Sequence, residues 1–205
     1  MSTVPLLEPT RERTLVIMKP DTVRRALTGE ILARFERVGL KIVGAKMVWM
    51  TQEFAKKHYV ADRVEWVKGL GEKSLMAYTK NGTDPKETFG TADPYEIGKV
   101  VAGYLIDYVC SGPVIAFLLE GNMAIEIARK LAGPTLPIMA APGTIRGDYS
   151  NDSTDVANSR CRGLFTLVHA SGNKEEAAYE VKLWFKDEEI FDYTRADEAL
   201  RLGKF

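Results

Sequence analysis

Four short apolar runs constrain the fold of this chain more than any other feature. They cover residues 14–18, 40–50, 114–119 and 164–168 and are rich in the aliphatic and β-branched residues of buried strands. Stretches with helical spacing or turn residues separate them, in the order strand, helix, strand, helices, strand, helix, long loop, strand, helix. This βαββαβ order predicts an α/β fold of the α+β type, a ferredoxin-like sandwich with a four-stranded antiparallel sheet and inserted helices and loops.

The composition excludes several classes of protein. Lysine plus arginine equals aspartate plus glutamate, 28 each, so no basic excess indicates nucleic-acid binding. No apolar run approaches the roughly 20 residues that span a bilayer. The N-terminal residues lack the basic start and apolar core of a secretory signal, which predicts a cytoplasmic protein. Cys110 and Cys161 lie far apart outside any CxxC motif, which favours free thiols over a disulfide or a zinc site.

The length and punctuation of the chain predict one domain over residues 13–193. Residues 1–12 form a polar lead-in, and residues 194–205 form a peripheral tail. Glycine and proline recur through residues 62–100, which predicts an insertion of short helices joined by loops. Residues 133–160 are expected to be loop-like.

One of the two histidines occupies a place where a site can open. His169 lies at the end of an apolar strand and precedes a turn of small residues, and Asn173 can cap the next helix in a capping box with Glu176. If that helix folds back, Glu180 can accept a hydrogen bond from one ring nitrogen and leave the other free as a nucleophile. Taken alone, His169 also fits a structural role, and Glu180 a solvated helix position.

Several side chains that suit phosphate binding are scattered along the chain. Arg146 lies between glycines in the loop 142–148, an arrangement that lets a guanidinium reach phosphate oxygens, although an ordinary surface turn also fits. Lys19 ends a buried strand, which is unusual for an ammonium without an acidic partner. Arg129 and Thr135 fit a helix end and a turn equally well, and Tyr59 fits the core. His58 is expected to pack or cap.

The chain contains no GxxxxGK[ST] phosphate loop and no GxGxxG dinucleotide fingerprint. A phosphate-handling site here would therefore depend on side chains for charge neutralisation. A histidine nucleophile would make the reaction a two-step transfer.

Taken together, these segments resemble nucleoside diphosphate kinases. The most specific is Pro-Gly-Thr-Ile-Arg-Gly-Asp at 142–148, followed by Val-His-Ala-Ser at 168–171 and Leu-Trp-Phe at 183–185. The remaining matches, in the family's order, are residues 13–21, 29–31, 58–59, 111–114 and 120–121.

The resemblance implies a role for each matching residue. His169 would be the phosphohistidine nucleophile, oriented by Glu180 and Ser171, with Tyr59 beside the γ-phosphate. The phosphate-binding positions would be Lys19, Arg129, Thr135 and Arg146. The implied reaction is ping-pong transfer from ATP or another nucleoside triphosphate to a nucleoside diphosphate. The implied cofactor is Mg²⁺, held by nucleotide phosphates and water, and the implied assembly is a homo-oligomer, with neither nucleic acid nor membrane as a partner.

The chain departs from the family at the nucleotide pocket. Ala-Ser-Gly follows the histidine at 170–172, where the family has Gly-Ser-Asp, and Thr166 replaces the asparagine that reaches the sugar. Val101 stands at the position of the phenylalanine that stacks on the base, and Leu105 matches a neighbouring apolar contact. The candidates to replace the lost ring are Phe89, Tyr95 and Tyr104.

These departures leave a rival interpretation open. A non-catalytic nucleotide-binding or scaffolding member of the same fold would tolerate changes in the sugar and base contacts. The stretch 150–163 is also longer than usual, so a second side of the pocket is expected to differ. We expect the insertion at 62–100 to form a lid or an altered subunit contact.

Overall fold

The computed structural model describes residues 11–201, without the side chain of Asn81. Residues 1–10 of the predicted lead-in and 202–205 of the predicted tail lie outside the described residues. Within the described part of the chain, no helix is long and apolar enough to cross a membrane.

The sheet has the predicted four antiparallel strands. They are β1 (Arg11–Met18), β2 (Lys41–Val48), β3 (Val114–Asn122) and β4 (Val168–Ala170). Their order in the sheet is β2-β3-β1-β4, so the first strand lies inside, between β3 and the strand that carries His169. His169 lies near the end of its strand, within β4, and pairs with Ile17, but the strand begins at Val168 and not at residue 164 as predicted.

Helices cover both faces of this sheet. The first half contributes α1 (Pro20–Arg24), α2 (Thr28–Arg37), α3 (Gln52–Tyr59), α4 (Val64–Asn81), α5 (Pro85–Phe89) and α6 (Pro94–Cys110). The second half contributes α7 (Ala124–Ala132), α8 (Ile145–Tyr149), α9 (Thr154–Ser159), α10 (Lys174–Trp184) and α11 (Glu198–Arg201), with 3₁₀ turns at Pro137–Met139 and Asp187–Glu189. Two helices replace the single one expected between the first two strands, since Ala26 adopts a positive φ of 56° between them.

Alternate residues of the inner strands face two separate cores, as the period of a strand requires. Leu15 and Ile17 join the core that contains Trp184 and Phe185. Val16 and Met18 point the other way and join a second core with residues of α2 and α7. Because β1 is buried on both faces, the site at its C-terminal end rests on a rigid support.

The insertion differs from the predicted short helices and loops. Nearly half of it is α4, a single helix of 18 residues that packs against α6. A Cβ atom at Gly71 would lie 1.8 Å from the carbonyl oxygen of Pro94, and one at Gly98 would lie 1.9 Å from that of Val67. These two glycines therefore let α4 and α6 cross closely. The prediction of loops was wrong because it assigned the glycines to turns and not to helix packing.

The stretch 133–160 is also more regular than predicted. It contains α8 and α9, and the side chains of Thr144 and Ser153 accept hydrogen bonds from backbone N–H groups at the starts of these two helices.

Further along the chain, an ion pair of 3.1 Å between Glu198 of α11 and Arg11 of β1 joins α11 to the sheet.

Candidate active site

The residues just before β4 form a tight turn that projects side chains toward a cavity. The N–H of Val168 donates to the carbonyl of Thr166 at 2.6 Å, and Leu167 between them has a φ of +63°. This is a γ-turn with its central residue at positive φ, a costly conformation for a branched side chain. The N–H of Lys19 and the hydroxyl of Thr22 both donate to the Leu167 carbonyl, at 2.8 and 2.6 Å.

The guanidinium of Arg146 holds the same turn from the other side. Its Nε donates to the carbonyl of Thr166 at 3.0 Å, and its terminal nitrogens donate to Gly133 at 2.5 Å and Val168 at 2.6 Å. Burial, and then the charge of Arg129, lower the pKa of Arg146 to about 10, which still leaves it protonated at neutral pH. Each terminal nitrogen carries a second N–H, so Arg146 can bind an anion while it supports the turn.

The imidazole of His169 lies against a buried carboxylate. Its Nε2 is 2.7 Å from Oε1 of Glu180, although the ring is not oriented for a hydrogen bond. The hydroxyl of Ser171 donates to the other oxygen of Glu180 at 2.6 Å and accepts from the N–H of Leu15 at 3.2 Å. With Nε2 facing Glu180, Nδ1 is the nitrogen left for the cavity, and the side chain of His169 is 14% exposed.

Burial and neighbouring cations keep this histidine neutral. Desolvation, followed by the charges of Lys19, Arg146 and Arg129, lowers the pKa of His169 to about 3 despite the opposing effect of Glu176. Burial raises the pKa of Glu180. At neutral pH the ring therefore keeps an unprotonated nitrogen, the form that acts as a nucleophile.

Lys19 is buried at the end of β1, and no carboxylate of residues 11–201 is in salt-bridge contact with it. Its ammonium donates to Oγ1 of Thr166 at 2.8 Å and lies 5.4 Å from the centre of the Tyr108 ring. Burial and the charge of Arg146 lower its pKa to about 7. A polyanion beside it would favour the charged form.

The cavity in front of His169 has a volume of about 510 Å³. Nine of the residues singled out in the sequence line it: Lys19, Tyr59, Val101, Leu105, Arg129, Thr135, Arg146, Thr166 and His169. Ser171 and Glu180 lie behind the histidine. The residues that the sequence singled out for catalysis and nucleotide binding are thus brought together around one cavity.

A single carboxylate, that of Glu176, lines this cavity among the described residues. Asn173 caps α10 as predicted, accepting from the N–H of Glu176 at 2.8 Å, but the Glu176 carboxylate bonds the N–H of Gly172 at 3.0 Å, not that of the cap residue. A Cβ at Gly172 would lie 2.3 Å from that carboxylate. The absence of the family's aspartate at 172 thus leaves room for Glu176.

The second histidine packs, as expected, but closer to the site than the sequence suggested. The ring of His58 lies 4.6 Å from that of His169, and its Nδ1 accepts from the indole N–H of Trp184 at 3.3 Å. The same Nδ1 is 3.6 Å from Glu180. Burial lowers the pKa of His58 to about 3, so it borders the Glu180 carboxylate as a neutral ring.

The wall of the cavity away from Lys19 and Arg146 is built by the two extended segments. We define the extension wall as Trp66, Leu70, Lys73 and Ser74 of α4 with Thr154, Ala157 and Asn158 of α9. None of Phe89, Tyr95 and Tyr104, the aromatic residues considered from the sequence, lines the cavity, whereas Trp66 does and stacks on Tyr59 with ring centres 5.8 Å apart. Trp66 was missed because no motif surrounds it.

Comparison with known proteins agrees with this geometry. The family model described as nucleoside diphosphate kinase matches residues 12–66 and 95–190. The residues it omits, 67–94, comprise most of α4 and all of α5. The extension wall thus stands partly on sequence that the family model does not contain.

Individual relatives match over most of the chain. A nucleoside diphosphate kinase from Pyrobaculum aerophilum is 49% identical over 88% of this chain and 98% of its own length. The crystal structure of an NDP kinase from the same organism superimposes with a TM-score of 0.85, covering 89% of this chain and all of that one. A Borrelia burgdorferi nucleoside-diphosphate kinase, solved as a transition-state mimic with bound vanadate and ADP, gives a TM-score of 0.73 at 38% identity, covering 93% and 96% of the two chains. The chain therefore belongs to the nucleoside diphosphate kinase family and has the phosphotransferase function of that family.

Proposed function

We propose that His169 carries the phosphoryl group between a nucleoside triphosphate, mainly ATP, and a nucleoside diphosphate in a ping-pong reaction. The observation that carries this proposal is the neutral ring of His169, with Nε2 2.7 Å from Glu180 and Nδ1 left for a cavity that Lys19, Arg129 and Arg146 line. A nucleophile facing a cationic cavity suits an anionic phosphoryl donor.

In the first half-reaction the lone pair of Nδ1 attacks the γ-phosphorus. The bond between that phosphorus and the β,γ-bridging oxygen breaks, and its electron pair leaves with the nucleoside diphosphate. The imidazole then carries a phosphoryl group on Nδ1 and a proton on Nε2, and the carboxylate of Glu180 stabilises the positive charge that develops on the ring. Ser171 holds Glu180 in place through its hydrogen bond of 2.6 Å.

In the second half-reaction a terminal oxygen of a nucleoside diphosphate attacks the same phosphorus. The P–N bond breaks and its electron pair returns to Nδ1, which restores the neutral ring. Lys19, Arg129, Thr135 and Arg146 would bind phosphate oxygens in both steps. The hydroxyl of Tyr59, which has no hydrogen-bond partner among the described residues, would donate a hydrogen bond to the γ-phosphate.

The nucleoside would extend away from the phosphates. Thr166, joined to Lys19 by a hydrogen bond of 2.8 Å, would face the sugar. Val101 and Leu105 would contact the base from α6. A halophilic nucleoside diphosphate kinase from Halobacterium salinarum, 32% identical to this chain, was solved in complex with CDP.

We also propose Mg²⁺ as the cofactor. Among the described residues that line the cavity, Glu176 is the single carboxylate and five side chains are lysine or arginine. This donor set fits a cation held by phosphate oxygens and water, which is the usual state of Mg²⁺ at nucleotide sites. The ion would supply charge neutralisation on the phosphates.

The proposed assembly is a homo-oligomer in the cytoplasm. Exposed apolar side chains near β2 and at the 3₁₀ turn 137–139 support an assembly, since Met47, Trp49, Ile138 and Met139 are each more than half exposed. Light scattering after size exclusion would give the subunit number. Fractionation of the source cells would test the compartment.

A single-turnover experiment tests the proposed transfer. Purified protein is mixed with Mg²⁺ and γ-labelled ATP, quenched in base, and assayed for acid-labile label. We expect the label on the peptide that contains His169 and not on the one that contains His58, and we expect added GDP or CDP to remove it. His169→Asn is the matched variant and should bind ATP without being labelled. An unlabelled wild-type protein that still binds ATP would overturn the proposal and favour the scaffolding interpretation.

A further inference from the structure

Asn158 is a buried amide beside the cavity with an unsatisfied donor. The residue is 3% exposed, it lines the cavity, and its Nδ2 has no hydrogen-bond partner in the part of the chain that the structure describes. A buried amide without a partner costs free energy, so such groups are usually satisfied by a ligand or by water. Neither the family's motifs nor the proposed transfer assigns Asn158 a role.

The surroundings of Asn158 point to the nucleoside end of a nucleotide. Asn158 belongs to the extension wall, which contributes the apolar side chains of Trp66, Leu70 and Ala157 and one cation, Lys73. Lys19, Arg129 and Arg146 belong to the proposed phosphate-binding positions. A flat aromatic group with polar edges fits such a wall better than a phosphate does. The wall is also preformed, because α4 is held against α6 by the Gly71 and Gly98 crossing and contacts α9.

We infer that the base of the nucleotide lies between α4 and α9, and that Asn158 donates a hydrogen bond from Nδ2 to an acceptor on its edge. All the common bases carry a carbonyl oxygen or a ring nitrogen that can accept such a bond. One amide donor therefore recognises a base without selecting strongly among bases, which suits an enzyme whose donor and acceptor nucleotides share a site. This inference rests on the proposed function, since it requires the cavity to bind a nucleotide.

Equilibrium binding separates this role from the chemistry at His169. Dissociation constants for ADP and for inorganic tripolyphosphate, each with Mg²⁺, are measured by calorimetry on wild type and Asn158→Ala. We expect Asn158→Ala to weaken ADP binding about tenfold, as for one lost hydrogen bond of ordinary strength. Binding of tripolyphosphate, which has no base, should change less than about twofold. GDP and CDP should lose affinity by a similar factor.

Two further variants keep the test decisive. Ser159→Ala, next to Asn158 on α9 but exposed and outside the cavity, should leave both constants unchanged. Asn158→Leu keeps much of the side-chain volume, removes the donor and adds no charge, so it should reproduce the loss for ADP even if the alanine variant does not fold. Unchanged ADP binding in both Asn158 variants, or equal weakening of ADP and tripolyphosphate, would overturn the inference.

Failure of the proposed transfer would look different. In that case wild type would acquire no label from ATP, while the comparison of ADP with tripolyphosphate would still report on Asn158.

Discussion

The two sides of the cavity are built on different principles. We define the phosphate end as Lys19, Arg129, Thr135, Arg146 and His169, and it faces the extension wall of α4 and α9. At the phosphate end, Lys19 and Arg146 are buried and fixed by hydrogen bonds to the turn before β4. The extension wall instead has a single cation, Lys73, together with apolar side chains, two hydroxyls and an amide whose Nδ2 has no partner among the described residues. The phosphate end is thus preorganised for charge, and the wall for shape.

The family comparison follows this division only in part. Every residue of the phosphate end lies inside the matched segments, and so do four residues of the extension wall, Trp66, Thr154, Ala157 and Asn158. The other three, Leu70, Lys73 and Ser74, fall in the gap between residues 66 and 95. Transition-state stabilisation demands fixed positions for the charged groups, but a base-tolerant pocket can be rebuilt as long as it offers a flat wall. Variants on the two sides should therefore fail in different ways.

The largest effect is expected at Arg146. Arg146→Ala removes a phosphate ligand and leaves the carbonyls of Gly133, Thr166 and Val168 without their donor. We expect the labelling rate of His169 to fall by about 10³-fold and the free energy of unfolding by about 3 kcal/mol. Single-turnover labelling and urea unfolding measure the two quantities. Arg146→Lys keeps the charge without the fork, so it should recover part of the rate and little of the stability. An alanine variant as stable as wild type would contradict the supporting role of Arg146.

A smaller effect is expected behind the nucleophile. Glu180→Gln keeps the shape of the side chain but removes the negative charge 2.7 Å from Nε2 of His169. We expect labelling by ATP to slow by about 10²-fold, because the charge that develops on the ring loses its counterion. ADP affinity should stay within about twofold of wild type, since Glu180 does not line the cavity. Equal losses in labelling rate and ADP affinity would place Glu180 in binding instead.

On the extension wall, Trp66→Ala should weaken ADP binding by about tenfold and leave tripolyphosphate binding nearly unchanged, because loss of stacking on a base costs roughly 1–3 kcal/mol. Tyr95→Ala is the matched control, an aromatic residue of the neighbouring helix α6 that lies outside the cavity. Calorimetry with the two ligands measures the difference. If Tyr95→Ala weakened ADP binding as much as Trp66→Ala, the loss would reflect altered folding and not a lost contact with the base.

The same contrast decides what the sequence could predict. Lys19, Arg146 and His169 of the phosphate end lie in short sequence motifs, so they could be singled out from the sequence alone. Trp66 and Asn158 stand in no motif, and their convergence depends on a helix crossing that Gly71 and Gly98 permit. Those glycines also led to a prediction of loops where α4 is continuous. Local propensity assigns glycine to turns, but tertiary packing gave it another use.

The turn before β4 could not be predicted for a different reason. A positive φ at Leu167 is unfavourable in isolation. It persists because hydrogen bonds hold the turn: Arg146 donates to the carbonyl of Thr166, and Lys19 and Thr22 donate to the carbonyl of Leu167. The side-chain donors lie far from the turn in sequence: Arg146 is 20 residues from Thr166, and Thr22 is 145 residues from Leu167. The sequence predicts a strand there, and a strand forms only after the turn, from Val168 onward.

The smallest effect concerns a proton at Lys19. Burial lowers its pKa to about 7, so most of the free enzyme has a neutral Lys19 at pH 8. Phosphate oxygens beside the ammonium favour its charged form and raise the pKa, so ADP binding at pH 8 should take up close to one proton. At pH 6 the uptake should vanish, because Lys19 is then charged in both states. Calorimetry in buffers of different ionisation enthalpy measures the proton number, and Lys19→Met should abolish it. Asn158→Ala, on the extension wall, should bind ADP more weakly and still take up the proton. If proton uptake at pH 8 persisted in Lys19→Met, the proton would belong to another group, and Lys19 would not change its charge when ADP binds.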